Sequence, residues 1–266
     1  VDRLLALLEL EAIDRDIYRG VNPGEGPGRV FGGQVASQAL RAAAATVEVE
    51  HQVNSLHAYF LRPGRFGVPI VYTVDRIRDG SSFTTRRVVA VQQGEAILNL
   101  DASFHKHEPG GEYGMPSPID DVPAPESLPE EPVEGRAHRR HIERREVDPP
   151  PAGSTRARWV RAGGTLPDDP VIHACVIAYL SDMGPVHAAR LGLGELEHRV
   201  MTASLDHCLW FHRPARADEW LLYELSAVAG ANSRGVARGA MWTRTGELAV
   251  TVTQEALLRP VSGQRK

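Results

Sequence analysis

Leu56-His57-Ala58-Tyr59-Phe60-Leu61-Arg62-Pro63 and His207-Cys208-Leu209-Trp210-Phe211-His212-Arg213-Pro214 are the two stretches on which the fold turns. Each sets an aromatic pair just before Arg-Pro, and Arg62 and Arg213 stand 151 residues apart. Downstream the register holds: Ile70, Tyr72 and Val74 correspond to Leu221, Tyr223 and Leu225, and Asp79-Gly80-Ser81-Ser82 to Gly230-Ala231-Asn232-Ser233. A period this long exceeds a solenoid unit and fits two fused copies of one small domain. Only the second copy carries a candidate set of catalytic polar side chains.

Working outward from these stretches, both copies read as a helix followed by a meander. Leu4, Leu5, Leu7, Leu8 and Ile13 recur at helical spacing and predict a short amphipathic helix ending near Gly20. A glycine-rich loop covers Asn22 to Gly28, and Val35 to Val47 is a helix apolar on nearly every side, which therefore needs cover all round. Strands follow around Asn54 to Leu61, Pro69 to Arg78, Ser82 to Gln92 and Glu95 to His105, with turns at Asp79-Gly80 and Gln93-Gly94. From Lys106 to about Pro151 prolines and acidic residues dominate, so this reads as an interdomain linker, with a basic stretch at Arg136 to Arg145 as a solvated face. The second unit opens with a short strand at Trp159 to Ala162. Pro167-Asp168-Asp169-Pro170 starts a helix over Val171 to Met183, and strands are expected at 199–212, 219–229, 234–244 and 247–258. The resulting division is 1–108, a linker at 109–154, and 155–266, in an α+β fold.

Composition narrows the function. With 266 residues and 42% hydrophobic content the chain buries one large core or two smaller ones, and a net charge of −4 gives no reason to expect nucleic acid or an anionic membrane as partner. Cys175 and Cys208 lie in apolar segments far apart and read as reduced core residues of a cytoplasmic protein rather than a disulfide or metal ligands. No stretch approaches the roughly 18 apolar residues that span a bilayer, and the N-terminus lacks a signal-peptide layout.

Phe31-Gly32-Gly33-Gln34-Val35, Phe60-Leu61-Arg62-Pro63-Gly64, Leu205-Asp206-His207 followed by Trp210-Phe211-His212-Arg213, and Val252-Thr253-Gln254-Glu255 together resemble the acyl-CoA thioesterase II family. The resemblance runs in order from about Leu4 to Arg259. It implies a double hotdog, hydrolysis of acyl-CoA to free fatty acid and CoA in fatty acid metabolism, no metal or organic cofactor, and a homodimer or higher homo-oligomer. The catalytic set it implies is Asp182 at the end of the second buried helix, Ser204 two residues before Asp206, and Gln254 in the last strand.

The residues also carry their own readings. Asp182 follows an apolar run, and is either a helix-end residue facing solvent or a buried carboxylate that needs hydrogen-bond donors or a raised pKa. Gln254 shares a strand face with Val250, Val252, Ala256 and Leu258, so its amide is either tied to neighbouring backbone or part of a site. No Gly-x-Ser-x-Gly elbow surrounds Ser204, which argues against an acyl-serine enzyme. A triad of Ser204 and Asp182 with His57, His207 or His212 is the competing arrangement, and Asp206, on the same strand face as Ser204, the competing carboxylate. Gly32, Gly33 and His57 are candidates for oxyanion or substrate binding, although glycines before a helix also permit close packing. Arg62-Pro63 and Arg213-Pro214 recur in both copies and read as architectural, whereas Arg86, Arg87, Arg234 and Arg238 are candidates for CoA phosphates. Two functional alternatives remain: a non-catalytic acyl-CoA-binding or regulatory hotdog protein, and an enoyl-CoA hydratase, whose Asp/His motif is absent.

Overall fold

The computed structural model describes residues 1–23, 28–131 and 141–261. Parts of the glycine-rich loop (24–27), of the basic stretch (136–140) and of the tail (262–266) lie outside the described residues. The first repeat comprises α1 (Asp2–Leu8), β1 (Glu11–Asp14), β2 (Ile17–Gly20), α2 (Gly32–Ala44), β3 (His51–Phe60), β4 (Ile70–Asp79), β5 (Phe83–Gln92) and β6 (Glu95–Lys106). The second comprises β7 (Ile142–Val147), β8 (Arg156–Ala162), α3 (Pro170–Ser181), α4 (Pro185–Leu191), β9 (Val200–Ser204), β10 (Asp206–Phe211), β11 (Leu221–Ala231), β12 (Arg234–Trp242) and β13 (Leu248–Pro260).

These strands form one antiparallel sheet in the order β1-β2-β4-β5-β6-β3-β10-β13-β12-β11-β8-β7, with β9 beside β13. From its centre outward the order is the same in both directions, each half a sheet curled round its helix, which is the double hotdog expected. At the centre Tyr59 pairs with Asp206, His57 with Cys208 and Ser55 with Trp210. Because Ser55 and Asp206, His57 and Cys208, and Tyr59 and Trp210 are each 151 apart, this pairing maps onto itself under the repeat. The sequence offset is therefore an approximate two-fold axis through the His57–Cys208 pair.

Packing explains why α2 needs cover. It lies against the inner faces of β4, β5 and β6 on one side and against α3 on the other, while α4 covers β11 to β13. Its one fully buried amide is satisfied: Gln38 donates to the carbonyls of Leu7 (2.6 Å) and Val21 (3.0 Å) and accepts from the Tyr72 hydroxyl (2.6 Å). The chain just beyond its C-terminus is held by Arg86, 1% exposed, which donates to the Thr46 hydroxyl (2.7 Å) and carbonyl (3.0 Å), to the Arg78 carbonyl (3.0 Å) and to Asp79. A guanidinium so placed takes up backbone carbonyls beyond the helix's own ladder.

Several expectations are corrected. The first helix stops at Leu8, not near Gly20, because residues 11–20 form a hairpin whose second strand pairs with β4, leaving Ile13 half exposed. The expected linker contains β7, the counterpart of β1, and its residues Ile119, Val122 and Leu128 cover a second apolar cluster around Trp159, Trp220 and Trp242. Within the described part of the basic stretch, Arg144 is 1% exposed and paired with Glu131 at 3.2 Å, so it does not face solvent. The expected strand 199–212 breaks at Leu205 into β9 and β10. The helices α2 and α3 start only 138 apart, at Gly32 and Pro170, against 151 for the strands; the difference accommodates α4, which the sequence pattern did not reveal.

Arg86→Met should lower stability in urea unfolding by about 3 kcal/mol, the scale of hydrogen bonds to a charged group left unmade.

Candidate active site

Helix α3 is built to present its last residue. Asp169 caps its first turn, accepting from Val171 N–H at 2.8 Å, and Pro170 occupies the position where no amide is needed. Residues Cys175 to Ser181 are all buried. At the far end the Tyr223 hydroxyl donates to the Ser181 carbonyl (2.7 Å). Asp182 is the C-cap, and the chain turns away at Gly184, whose φ of 141° suits glycine and whose added Cβ would lie 2.7 Å from Leu225 Cδ1.

The carboxylate of Asp182 is 8% exposed and lies against the N-terminus of α2, where Gly33 N–H donates to Oδ2 at 2.8 Å. Its other oxygen, Oδ1, is buried with no hydrogen-bond partner among the described residues. Burial pushes its pKa up to about 6, against the opposing pull of the Gln254 amide, the Gly33 N–H, the Ser204 hydroxyl and the Arg29 charge. A Cβ on Gly32 would sit 2.8 Å from Asp182 Oδ2, and one on Gly33 would sit 2.7 Å from the Tyr179 carbonyl. Both glycines therefore serve close approach of the two helix ends, and the Gly33 N–H, a candidate oxyanion donor, is already given to the carboxylate.

Ser204 and Gln254 lie beside Asp182. Gln254, fully buried on the inner face of β13, donates from Nε2 to Ser204 Oγ at 2.9 Å. Its Oε1 faces His207 Nδ1 at 2.5 Å, and His207 Nε2 lies 2.7 Å from Ser181 Oγ. Burial lowers the His207 pKa to about 4, so the ring is neutral near pH 7. Both ring nitrogens are engaged within the core, which removes His207 as a base facing the substrate.

Other candidates fall away from this centre. His57 lies on the exposed outer face of β3, edge-on to Trp210 at 5.2 Å between ring centroids, because residues one apart on a strand point to opposite faces. It is not part of the site, and neither is His212, bonded to Thr251 at 2.9 Å. Asp206 does not share a face with Ser204: the break at Leu205 inserts an extra residue, and Asp206 accepts from the Glu255 backbone N–H at 2.6 Å instead. Among the described residues no group of three or more His, Cys, Asp or Glu comes together in a way that could hold a metal.

Asp182 and Ser204 open into a cavity of about 1080 Å³ that also touches Phe31, Phe60, Met183 and Val186. Its arginines are Arg3, Arg29, Arg62, Arg156, Arg158 and Arg190. The four proposed from sequence are elsewhere: Arg86 is buried beside α2, Arg87 pairs with Asp101 (3.0 Å), Arg234 with Glu255 (2.8 Å), and Arg238 is exposed on β12. Arg62 and Arg213 play matching structural parts, donating to the carbonyls of Ala96 (2.8 Å) and Leu248 (3.3 Å), although Arg62 also reaches the cavity.

The raised pKa of Asp182 is a stability statement. A carboxyl ordinarily near 3.8 and here near 6 keeps its proton in the folded state where the unfolded chain has lost it, so stability falls as pH rises between those values. Asp182→Asn removes that penalty. Urea unfolding should show the variant gaining about 2 to 3 kcal/mol on wild type between pH 4 and pH 7.

Comparison with known proteins agrees in both halves. Residues 22–105 match the model of the acyl-CoA thioesterase N-terminal domain and residues 116–258 that of the acyl-CoA thioesterase C-terminal domain. The chain is 39% identical to acyl-coenzyme A thioesterase 8 of Mus musculus, over 96% of this chain and 88% of that one. It is 34% identical to acyl-CoA thioesterase 2 of Haemophilus influenzae, over 97% and 98%. A crystal structure of an acyl-CoA thioesterase II from Mycobacterium marinum superposes with a TM-score of 0.87 at 39% identity, covering 98% of this chain and all of that one. With both domains matched in order and similarity running almost end to end, this chain belongs to the acyl-CoA thioesterase II family.

Proposed function

We propose that this protein hydrolyses acyl-CoA to free fatty acid and CoA by direct attack of water, with Asp182 as general base. The observation that carries this is the buried Oδ1 of Asp182, which has no hydrogen-bond partner among the described residues, beside Ser204 at the wall of the cavity. Oδ1 takes a proton from water as the water oxygen bonds to the thioester carbonyl carbon. Ser204, backed by the Gln254 amide, holds that water. The tetrahedral intermediate collapses with loss of the C–S bond, and the CoA thiolate takes up the proton from Asp182. Because Gly33 N–H is committed to the carboxylate, the Gly32 N–H at the start of α2 is the backbone donor we assign to the oxyanion. The acyl chain lies in the apolar part of the cavity against Phe31, Phe60 and Val186, and Arg29 and Arg62 are placed to meet anionic groups of CoA.

A non-catalytic acyl-CoA-binding role is the second reading; the buried base beside a hydroxyl, a costly arrangement for binding alone, favours turnover. We also read the protein as a cytoplasmic homo-oligomer. Cys175 and Cys208 are free thiols, and Tyr59 and Trp210 expose aromatic surface at the centre of the outer sheet face. Light scattering at micromolar concentration should give at least twice the mass of one chain.

General-base assistance is worth about 10²- to 10⁴-fold, so Asp182→Asn should lose rate on that scale in a thiol-release assay with a panel of acyl-CoAs. Gln254→Ala should be severely impaired, Ser204→Thr active, and His57→Ala close to wild type. A wild-type rate in Asp182→Asn, or an acyl-Ser204 adduct trapped during turnover, would replace water attack by another mechanism.

The pH profile has a definite sign. Only ionised Asp182 accepts the proton, so kcat/KM should climb through a single limb near pH 6 and level off above it. A limb near 4, the ordinary carboxyl range, would show that the base is an exposed carboxylate instead.

A further inference from the structure

We infer that His207 is a positioning residue for Gln254: its Nδ1–H holds the amide carbonyl so that the amide NH2, not the oxygen, is presented to Ser204 and Asp182. The inference rests on the role given above to Gln254. It is carried by a buried chain of contacts from Ser181 Oγ to His207 Nε2 (2.7 Å), from His207 Nδ1 to Gln254 Oε1 (2.5 Å), and from Gln254 Nε2 to Ser204 Oγ (2.9 Å). His207 and Gln254 are both 0% exposed.

With the amide carbonyl toward His207, the chain of donors has one consistent direction. A glutamine carbonyl oxygen only accepts, so Nδ1 carries the imidazole proton. The neutral ring then offers Nε2 as an acceptor, and the Ser181 hydroxyl supplies its proton there rather than to the Ala178 carbonyl, 2.9 Å away. Burial keeps the ring neutral across the working pH range. A reversed amide would turn its oxygen toward the Asp182 carboxylate and remove a donor from the group that holds the water. The NH2 facing Asp182 instead favours its ionised form, one of the pulls that keep its pKa from rising further.

The repeat supplies an internal comparison. In the first copy the pair on adjacent inner strands is Leu56 and Ala102, where the second copy has His207 and Gln254 one step beyond the Cys208–Thr253 pair. The fold is therefore compatible with a fully apolar pair at this place in the sheet. The polar pair occurs only in the copy that carries Asp182 and Ser204.

The test uses the full chain. His207→Leu copies the first repeat's residue and should fold, with kcat reduced about 10- to 100-fold by misplacement of the amide and KM changed little. Its kcat/KM limb should move to higher pH, because Asp182 loses part of its stabilising donor. His207→Asn, whose side-chain amide nitrogen takes roughly the place of Nδ1, should recover most of the rate. Independently of activity, 15N NMR of histidine-labelled wild-type protein should show His207 protonated at Nδ1 and not titrating between pH 5 and 8. An Nε2-protonated ring overturns the inference, as does wild-type kcat with an unmoved limb in His207→Leu while Gln254→Ala is impaired. Wild-type activity in both Gln254→Ala and Asp182→Asn overturns the site itself and this inference with it.

Discussion

The contact between Gly33 N–H and the carboxylate of Asp182 joins the two repeats at the group proposed as the base. It places a negative charge at the C-terminal end of α3, where the helix dipole disfavours it, and at the N-terminal end of α2, where the dipole favours it. The two effects oppose each other, and burial then dominates, leaving a carboxyl with a pKa near 6. Such a group is ionised near pH 7 yet more basic than an exposed aspartate. Neither repeat could make it alone: the acid comes from one and the amide from the other.

The rest of the architecture serves that meeting of helix ends. Gly33 lets the start of α2 approach the backbone of α3 at Tyr179 more closely than a side chain would allow, while Gly32 and Gly184 leave room for the side chains of Asp182 and Leu225. Tyr223 ties the end of α3 to β11, and Gln38 and Arg86 fasten α2 and the chain beyond it to the first half of the sheet. The sheet is continuous through β3 and β10, so the two helices are held in register by backbone hydrogen bonds rather than by a flexible junction. Divergence of the repeats then becomes intelligible. One copy keeps an apolar inner face around Leu56 and Ala102, and the other has exchanged the corresponding positions for an imidazole and an amide without altering the ladder.

Where sequence reading failed, the cause was local pattern contradicted by distant partners. The β1–β2 hairpin was hidden because its four-residue strands are too short for alternation to emerge beside a helix-like run of leucines. Strand β7 was hidden because Glu143 to Glu146 are all charged, and charge on an inner face is tolerated only when ion pairs such as Arg144–Glu131 and Arg156–Glu146 are available across the fold. The bulge at Leu205 reversed the expected face of Asp206, a one-residue effect that turns every later side chain over. The strand arginines Arg86, Arg87, Arg234 and Arg238 do not line the cavity, whose arginines include Arg3, Arg29, Arg156 and Arg190.

The amino-acid sequence by itself determined the duplication, the helix-then-meander order of each copy, the burial of α2 and α3, and, through its motifs, the family and the choice of Asp182, Ser204 and Gln254 as the proposed site. These are properties of periodicity and residue type, which are local. Tertiary structure alone decided that Gly33 serves the carboxylate, that His207 reaches Gln254, and that the Asp182 carboxyl has its pKa raised to about 6. Each of those depends on burial and on hydrogen bonds between residues separated by 47 to 149 positions, and separation on that scale leaves no periodic trace in the chain.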